Sequence, residues 1–203
     1  MGYEEAKGTG LGIKPVLRGE RVVLRPFTEA DIEAMGPILA DPEVLRLTGS
    51  VDSTPAAETA DPVIDARTSA WYQGLAARTD RLDLAVVDAA GGHCLGEVVL
   101  NNLDARNRSC SFRILLGPAG RNRGLGSEAT GLLLEHAFIA TTLHRIELEV
   151  YAFNPRARHV YERAGFTFEG TARDALLFDG QFIDAHLFSI LATDPRPGRA
   201  VRS

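Results

Sequence analysis

At 203 residues with 45% hydrophobic side chains, the chain is sized for one domain around a single core. Its net charge of −5 excludes a general polyanion-binding surface, and no apolar run reaches the length of a bilayer span. Two cysteines, Cys94 and Cys110, are too few for a disulfide framework, and five histidines without ligand spacing exclude a metal site. The expectation is a cytoplasmic protein with neither a nucleic-acid nor a membrane partner, since the N-terminus also lacks the basic and apolar regions of a secretion signal.

Residues 1–13 are glycine-rich and aperiodic, so they read as a flexible lead-in; 194–203 read as a tail, leaving a domain over 14–193. Arg21–Arg25 predicts a strand closed by Pro26, and Thr28 with Asp31 predicts a capped helix. The polar segment Thr48–Thr59 reads as a connection before a second helix from about Pro62 to Ala77, a candidate wall of a substrate site. Leu82–Val87 and Cys94–Leu100 flank a glycine turn as a hairpin, and Arg108–Leu116 is a further antiparallel strand. A helix follows with Ala129, Leu132, Leu133, His136, Ala137 and Ala140 on one apolar face. Arg145–Phe153 is a strand, Pro155 opens a helix that Gly165 stops, and Asp179-Gly180 joins the last two strands. The order β-α-α-β-β-β-α-β-α-β-β implies an α+β domain with a mixed, mainly antiparallel sheet.

The chemistry concentrates in Arg121-Asn122-Arg123-Gly124-Leu125-Gly126-Ser127, between a strand and a helix. Two glycines let backbone N–H groups converge, and the helix start adds the positive end of its dipole, which together seat a pyrophosphate. Arg121 and Arg123 are expected to add full positive charge there. Gly124-Leu125-Gly126-Ser127-Glu128-Ala129 also fits a dinucleotide fingerprint, but seven residues separate Leu116 from Gly124, and the preceding strands pair as hairpins.

Arg121-Asn122-Arg123-Gly124-Leu125-Gly126 resembles the coenzyme signature of the GNAT (Gcn5-related) N-acetyltransferases. A second signature, Asn154-Pro155 followed by Tyr161-Glu162-Arg163 and Gly165-Phe166, resembles the same family. Leu24-Arg25-Pro26-Phe27 and Phe178-Asp179-Gly180 with Asp184 extend the likeness toward the branch that modifies ribosomal-protein N-termini. The resemblance implies a splayed sheet with helices on both faces and acetyl-coenzyme A, or succinyl-coenzyme A, as acyl donor. It implies a primary amine as acceptor: a protein N-terminus, a lysine or a small-molecule amine. It also allows a homo-oligomer.

By that likeness the pyrophosphate lies on the amides of Arg123 to Ser127, the pantetheine arm pairs with Ile114, Leu115 and Leu116, and Asn154 bonds the arm. Tyr161 is implied as the acid that protonates the departing thiolate. Glu149, in Leu148-Glu149-Val150, is implied as the base, with Glu147 and Glu97 as alternatives. A free Arg113 could pair the distal carboxylate of a succinyl donor. Two departures bear on the acceptor: Ala157 stands where that branch carries serine, and Asp174-Ala175-Leu176-Leu177 lacks a glutamate some members place there. The competing readings are a catalytically silent acyl-coenzyme A sensor or scaffold and a nicotinamide enzyme.

Overall fold

Alternating apolar residues make β2 (Val22–Arg25), which pairs antiparallel with a two-residue β1 (Leu17–Arg18) that no periodicity announces. The computed structural model describes residues 10–196. Thr28 and Asp31 form the expected reciprocal capping box at the start of α1 (Glu29–Leu39). Two short helices follow: α2 (Pro42–Thr48), where the sequence marked no element, and α3 (Thr54–Glu58), inside the segment read as a connection. Asp41 caps α2 through the Val44 amide at 2.9 Å, and Gly49 ends it at φ 65°. The second predicted helix, α4 (Ala66–Gly74), begins at its Asp65 cap rather than at Pro62.

The remaining elements are β3 (Leu82–Asp88), β4 (Cys94–Asp104), β5 (Ser109–Leu116), α5 (Leu125–Ala140), β6 (Arg145–Tyr151), α6 (Pro155–Ala164), β7 (Thr167–Phe178) and β8 (Gln181–Leu191). The final hairpin turns at Asp179 and Gly180, both at positive φ, as its turn requires. The buried face of α5 is rotated from the expected one. Thr130, Leu134 and Phe138 join Ala129, Leu133 and Ala137 inside, whereas Ala140 is exposed and His136 half-buried.

All eight strands form one sheet in the order β1-β2-β3-β4-β5-β6-β8-β7. Every neighbouring pair is antiparallel except β5 and β6, which are parallel and matched only at Ser109–Arg145, Cys110–Ile146 and Ser111–Glu147. One apolar layer packs α5 and α6 on one face, including Phe112, Leu125, Leu133, Leu148 and Tyr161. A second, smaller layer packs α1, α2 and α4 on the other, including Met35, Val44, Tyr72 and Leu115. The α+β architecture with helices on both faces is as the sequence implied.

The packed structure reaches past both expected boundaries. Leu11 is 2% exposed, and its N–H donates to the Thr79 carbonyl at 3.0 Å. Asp194 accepts from the Leu191 amide at 2.8 Å, and the Arg196 guanidinium lies 4.5 Å from the Phe138 ring centre. Residues 1–9 and 197–203, the outer parts of the expected lead-in and tail, lie outside the described residues. Among the described residues no helix is long and apolar enough to cross a membrane.

Candidate active site

Because β5 and β6 stop pairing after Ser111 and Glu147, Arg113 to Leu116 keep β4 on one side and face open space on the other. That space is a cleft of about 760 Å³, lined by both strands, the loop before α5, the start of α6 and part of α2. Side-chain alternation gives the cleft two characters. Phe112, Ile114 and Leu116 turn toward α5 and α6, while Leu115 turns toward α1, α2 and α4.

The loop before α5 ends in a left-handed pair of positions, Asn122 at φ 58° and Gly124 at φ 74°. A Cβ on Gly124 would sit 3.0 Å from Arg21 Nη1, so glycine serves both the backbone and the packing. Among the described residues the amides of 122–127 donate no hydrogen bond; the first helical amide to do so is Glu128, to the Gly124 carbonyl at 3.2 Å. Asn122, Gly124, Gly126 and Ser127 line the cleft. Leu125 is 1% exposed in the core, so only its backbone can serve a ligand.

The two arginines differ from expectation. Arg121 is paired with Asp41, with Glu43 at 2.7 Å, and through Nε with the Leu116 carbonyl at 2.9 Å. Arg123 binds Asp88 at 2.9 Å and the Ala119 carbonyl at 3.0 Å. Both charges are therefore compensated by carboxylates, and the free charge expected beside the loop is not there. Its attraction for an anion comes from amides and helix dipole. Of Ile114, Leu115 and Leu116, the last has its carbonyl occupied by Arg121.

Asn154 caps α6, its Oδ1 accepting from the Ala157 amide at 3.1 Å, which leaves Nδ2 for the cleft it lines. Tyr161 is 6% exposed, held edge-to-face by Phe112 at 6.0 Å and Phe166 at 5.9 Å. Its hydroxyl has no protein partner among the described residues and lines the cleft. Burial pushes the phenol well above its ordinary range, so it stays protonated. Glu149 is exposed on the opposite sheet face, with the Tyr151 phenol beside it. Neither Arg145 nor Arg158 neutralises it: Arg145 binds Glu147 at 3.2 Å and Glu169 at 2.5 Å, and Arg158 binds Glu162 at 2.8 Å. Glu147 is thereby committed to an ion pair.

A profile described as the acetyltransferase (GNAT) domain matches residues 21–167. The chain belongs to the GNAT acetyltransferase family. Spermidine N(1)-acetyltransferase of Vibrio cholerae is 31% identical over 106 residues, 52% of this chain and 61% of that protein. This chain thus matches less than two thirds of that relative's length. L-amino acid N-acetyltransferase AaaT of Escherichia coli is 29% identical over 167 residues, covering 81% and 94% of the two chains. The solved structure of Mycobacterium smegmatis RimJ in complex with CoA-disulfide superposes with a TM-score of 0.71 at 26% identity, covering 89% of each chain.

Two features of this GNAT site escaped sequence reasoning: the burial and partners of Glu97, read only as an alternative base, and the bridging role of Glu43. Glu97 is 2% exposed, accepting from the Tyr72 hydroxyl at 2.8 Å and from Arg113 Nη2 at 2.7 Å. Burial raises its pKa, with the Arg113 charge and the Tyr72 bond opposing. Arg113 is consequently not the free cation expected. A lone carboxylate inside Leu95-Gly96-Glu97-Val98-Val99-Leu100 was the available signal, since a buried charge demands partners. The other feature is Glu43, shared between Arg121 and Arg156, the latter at 2.6 Å. It lies in a helix too short for periodicity to reveal.

Proposed function

We propose that this GNAT protein moves an acetyl group from acetyl-coenzyme A to a primary amine by direct attack in a ternary complex. The observation that carries this reading is the run of unpartnered amides at 122–127, opening onto a gap between two strands. A diphosphate suits those amides and the α5 dipole. An arm bearing amide groups suits the unpaired edge of β5, with Asn154 Nδ2 as a further donor. When bound, the coenzyme supplies an acyl group activated as a thioester.

The chain's own residues divide the remaining tasks by sheet face. Glu149, exposed and paired with no arginine or lysine among the described residues, takes the ammonium proton directly or through water. The backbone N–H near Leu115 donates to the acyl oxygen as charge develops on it. Tyr161, kept protonated on the other face, gives its proton to the departing sulfur. Neither Cys94 nor Cys110 lies at the gap motifs, and burial raises their thiols to about 11 and about 12, which argues against a covalent acyl carrier. Acetyl is favoured over succinyl because the matching profile and the named relatives are acetyltransferases.

The test is release of coenzyme thiol from acetyl- and succinyl-coenzyme A over a mixed amine library. The expected result is turnover favouring the acetyl donor, with kcat lowered about 10–1000-fold by Glu149→Gln; wild-type turnover in that variant would exclude Glu149 as the base. Tight coenzyme binding without turnover on any amine would identify a sensor or scaffold instead. Stabilisation by NAD alone would identify a nicotinamide enzyme.

A further inference from the structure

The polar group beneath the cleft that the proposed chemistry leaves unused is Arg113 with Glu97 and Tyr72. Glu97 stands opposite Leu115 and Arg113 opposite Val99 in the β4–β5 register, so Glu97 and Arg113 are diagonal neighbours on one face. It is the face of Leu115, covered by α1, α2 and α4. Extending the parallel register by two residues from the Ser111–Glu147 match sets Arg113 level with Glu149 across the gap. Both line the same cleft, on the side away from Tyr161.

The guanidinium is held rather than mobile. Moving it would leave a fully buried carboxylate with one neutral partner, the Tyr72 hydroxyl, and Tyr72 is itself fixed 4.8 Å from the Phe27 ring. Yet the Arg113 side chain is 50% exposed, and among the described residues only Nη2 makes a hydrogen bond. The Nε hydrogen, both Nη1 hydrogens and the second Nη2 hydrogen remain as coplanar donors of a side chain that lines the cleft.

We propose that Arg113 is a specificity-determining residue that binds an oxygen acceptor, carboxylate or carbonyl, on the carbon bearing the acceptor's amine, with Glu97 and Tyr72 as positioning residues. The inference rests on the proposed amine acetylation. An acceptor carrying an α-amino group beside a carboxyl or carbonyl meets Glu149 with its nitrogen and Arg113 with its oxygen. A polyamine offers Arg113 only methylenes or a second cation, which it repels. The oxygen has two chemical sources, a free amino acid or a peptide N-terminus.

Thiol release from acetyl-coenzyme A is measured with alanine, alaninamide, ethylamine and spermidine, for the wild type and for Glu97→Gln combined with Arg113→Gln. The double substitution avoids stranding a buried charge, and acceptor ratios within one preparation are insensitive to the folded fraction. In the wild type, kcat/KM for alanine or alaninamide should exceed that for ethylamine by about 10–100-fold. Alanine ahead marks a free carboxylate; alaninamide ahead marks a peptide-type carbonyl. In the double variant the ratio should fall toward one, through acceptor KM, with the Kd for acetyl-coenzyme A retained. Arg113→Lys should recover only part of it, having charge without the planar fork. An unchanged ratio in the double variant, or a wild type preferring ethylamine or spermidine, overturns the inference and leaves the acetylation intact. No thiol release by the wild type with any amine overturns the acetylation, and this inference with it.

Discussion

Tyr161 and Glu149 lie on opposite faces of one sheet, the first buried among aromatic rings and the second exposed. Three aromatic rings, Phe112, Phe166 and Tyr161 itself, stack so that the Tyr161 hydroxyl is the one polar atom of that cluster, open to the cleft. Losing the hydroxyl would leave the packing nearly unchanged. Tyr161→Phe should therefore lower kcat by about 10–1000-fold, with coenzyme Kd and thermal unfolding close to wild type. Wild-type turnover in steady-state kinetics of that variant would remove Tyr161 from the proposed chemistry. Glu149 is placed outward by alternation in β6: Ile146, Leu148 and Val150 point inward while Glu147 and Glu149 point out. Arg145 then separates the two glutamates by pairing with the first.

Elements were legible where a side chain marks a boundary and opaque where only tertiary contact does. Thr28 and Asp31 announced α1, Asn154-Pro155 and Gly165 framed α6, and Asp179-Gly180 fixed the last hairpin. Helix α2 carries the same signals, Asp41-Pro42 to open and Gly49 to close, but spans less than two turns, too few to show a period. What stabilises it is distant in sequence: Arg121 on Asp41 and Glu43, and Tyr151 against Gly49, where a Cβ would meet the ring at 2.8 Å. The signature positions of the site were legible because they depend on local backbone. The fates of Arg113, Arg121 and Arg123 were not, because partners up to 80 residues away decide them.

The cap of α1 gives a test at this scale. Asp31 is 3% exposed; burial raises its pKa, but bonds from Arg25 and Thr28 outweigh this and hold it below the ordinary aspartate range. A depressed folded pKa stabilises above the unfolded value and loses that contribution as pH falls through the folded one. Asp31→Asn should cost about 1–3 kcal/mol at neutral pH. In denaturant unfolding series, the gap from wild type should shrink as pH drops below the ordinary aspartate range; a pH-independent gap would assign the effect to packing alone.

As a whole, the molecule is two half-sheets joined by three parallel residue pairs, with every proposed task placed along the seam. The net charge of −5 does not describe that seam, where arginines from several elements gather, each matched to a carboxylate. Glu43 occupies a singular position, bridging Arg121 before α5 to Arg156 in α6. Neutralising this bridge would leave Arg156 without its carboxylate and Arg121 with Asp41 alone, beside the proposed phosphate seat. Glu43→Gln should hold spent coenzyme longer, lowering its Kd about 2–10-fold while slowing multiple-turnover kcat, a difference that single-turnover kinetics would not share. The acidic side chain would then act as a brake on grip, trading some tightness of hold for prompt departure of the used carrier.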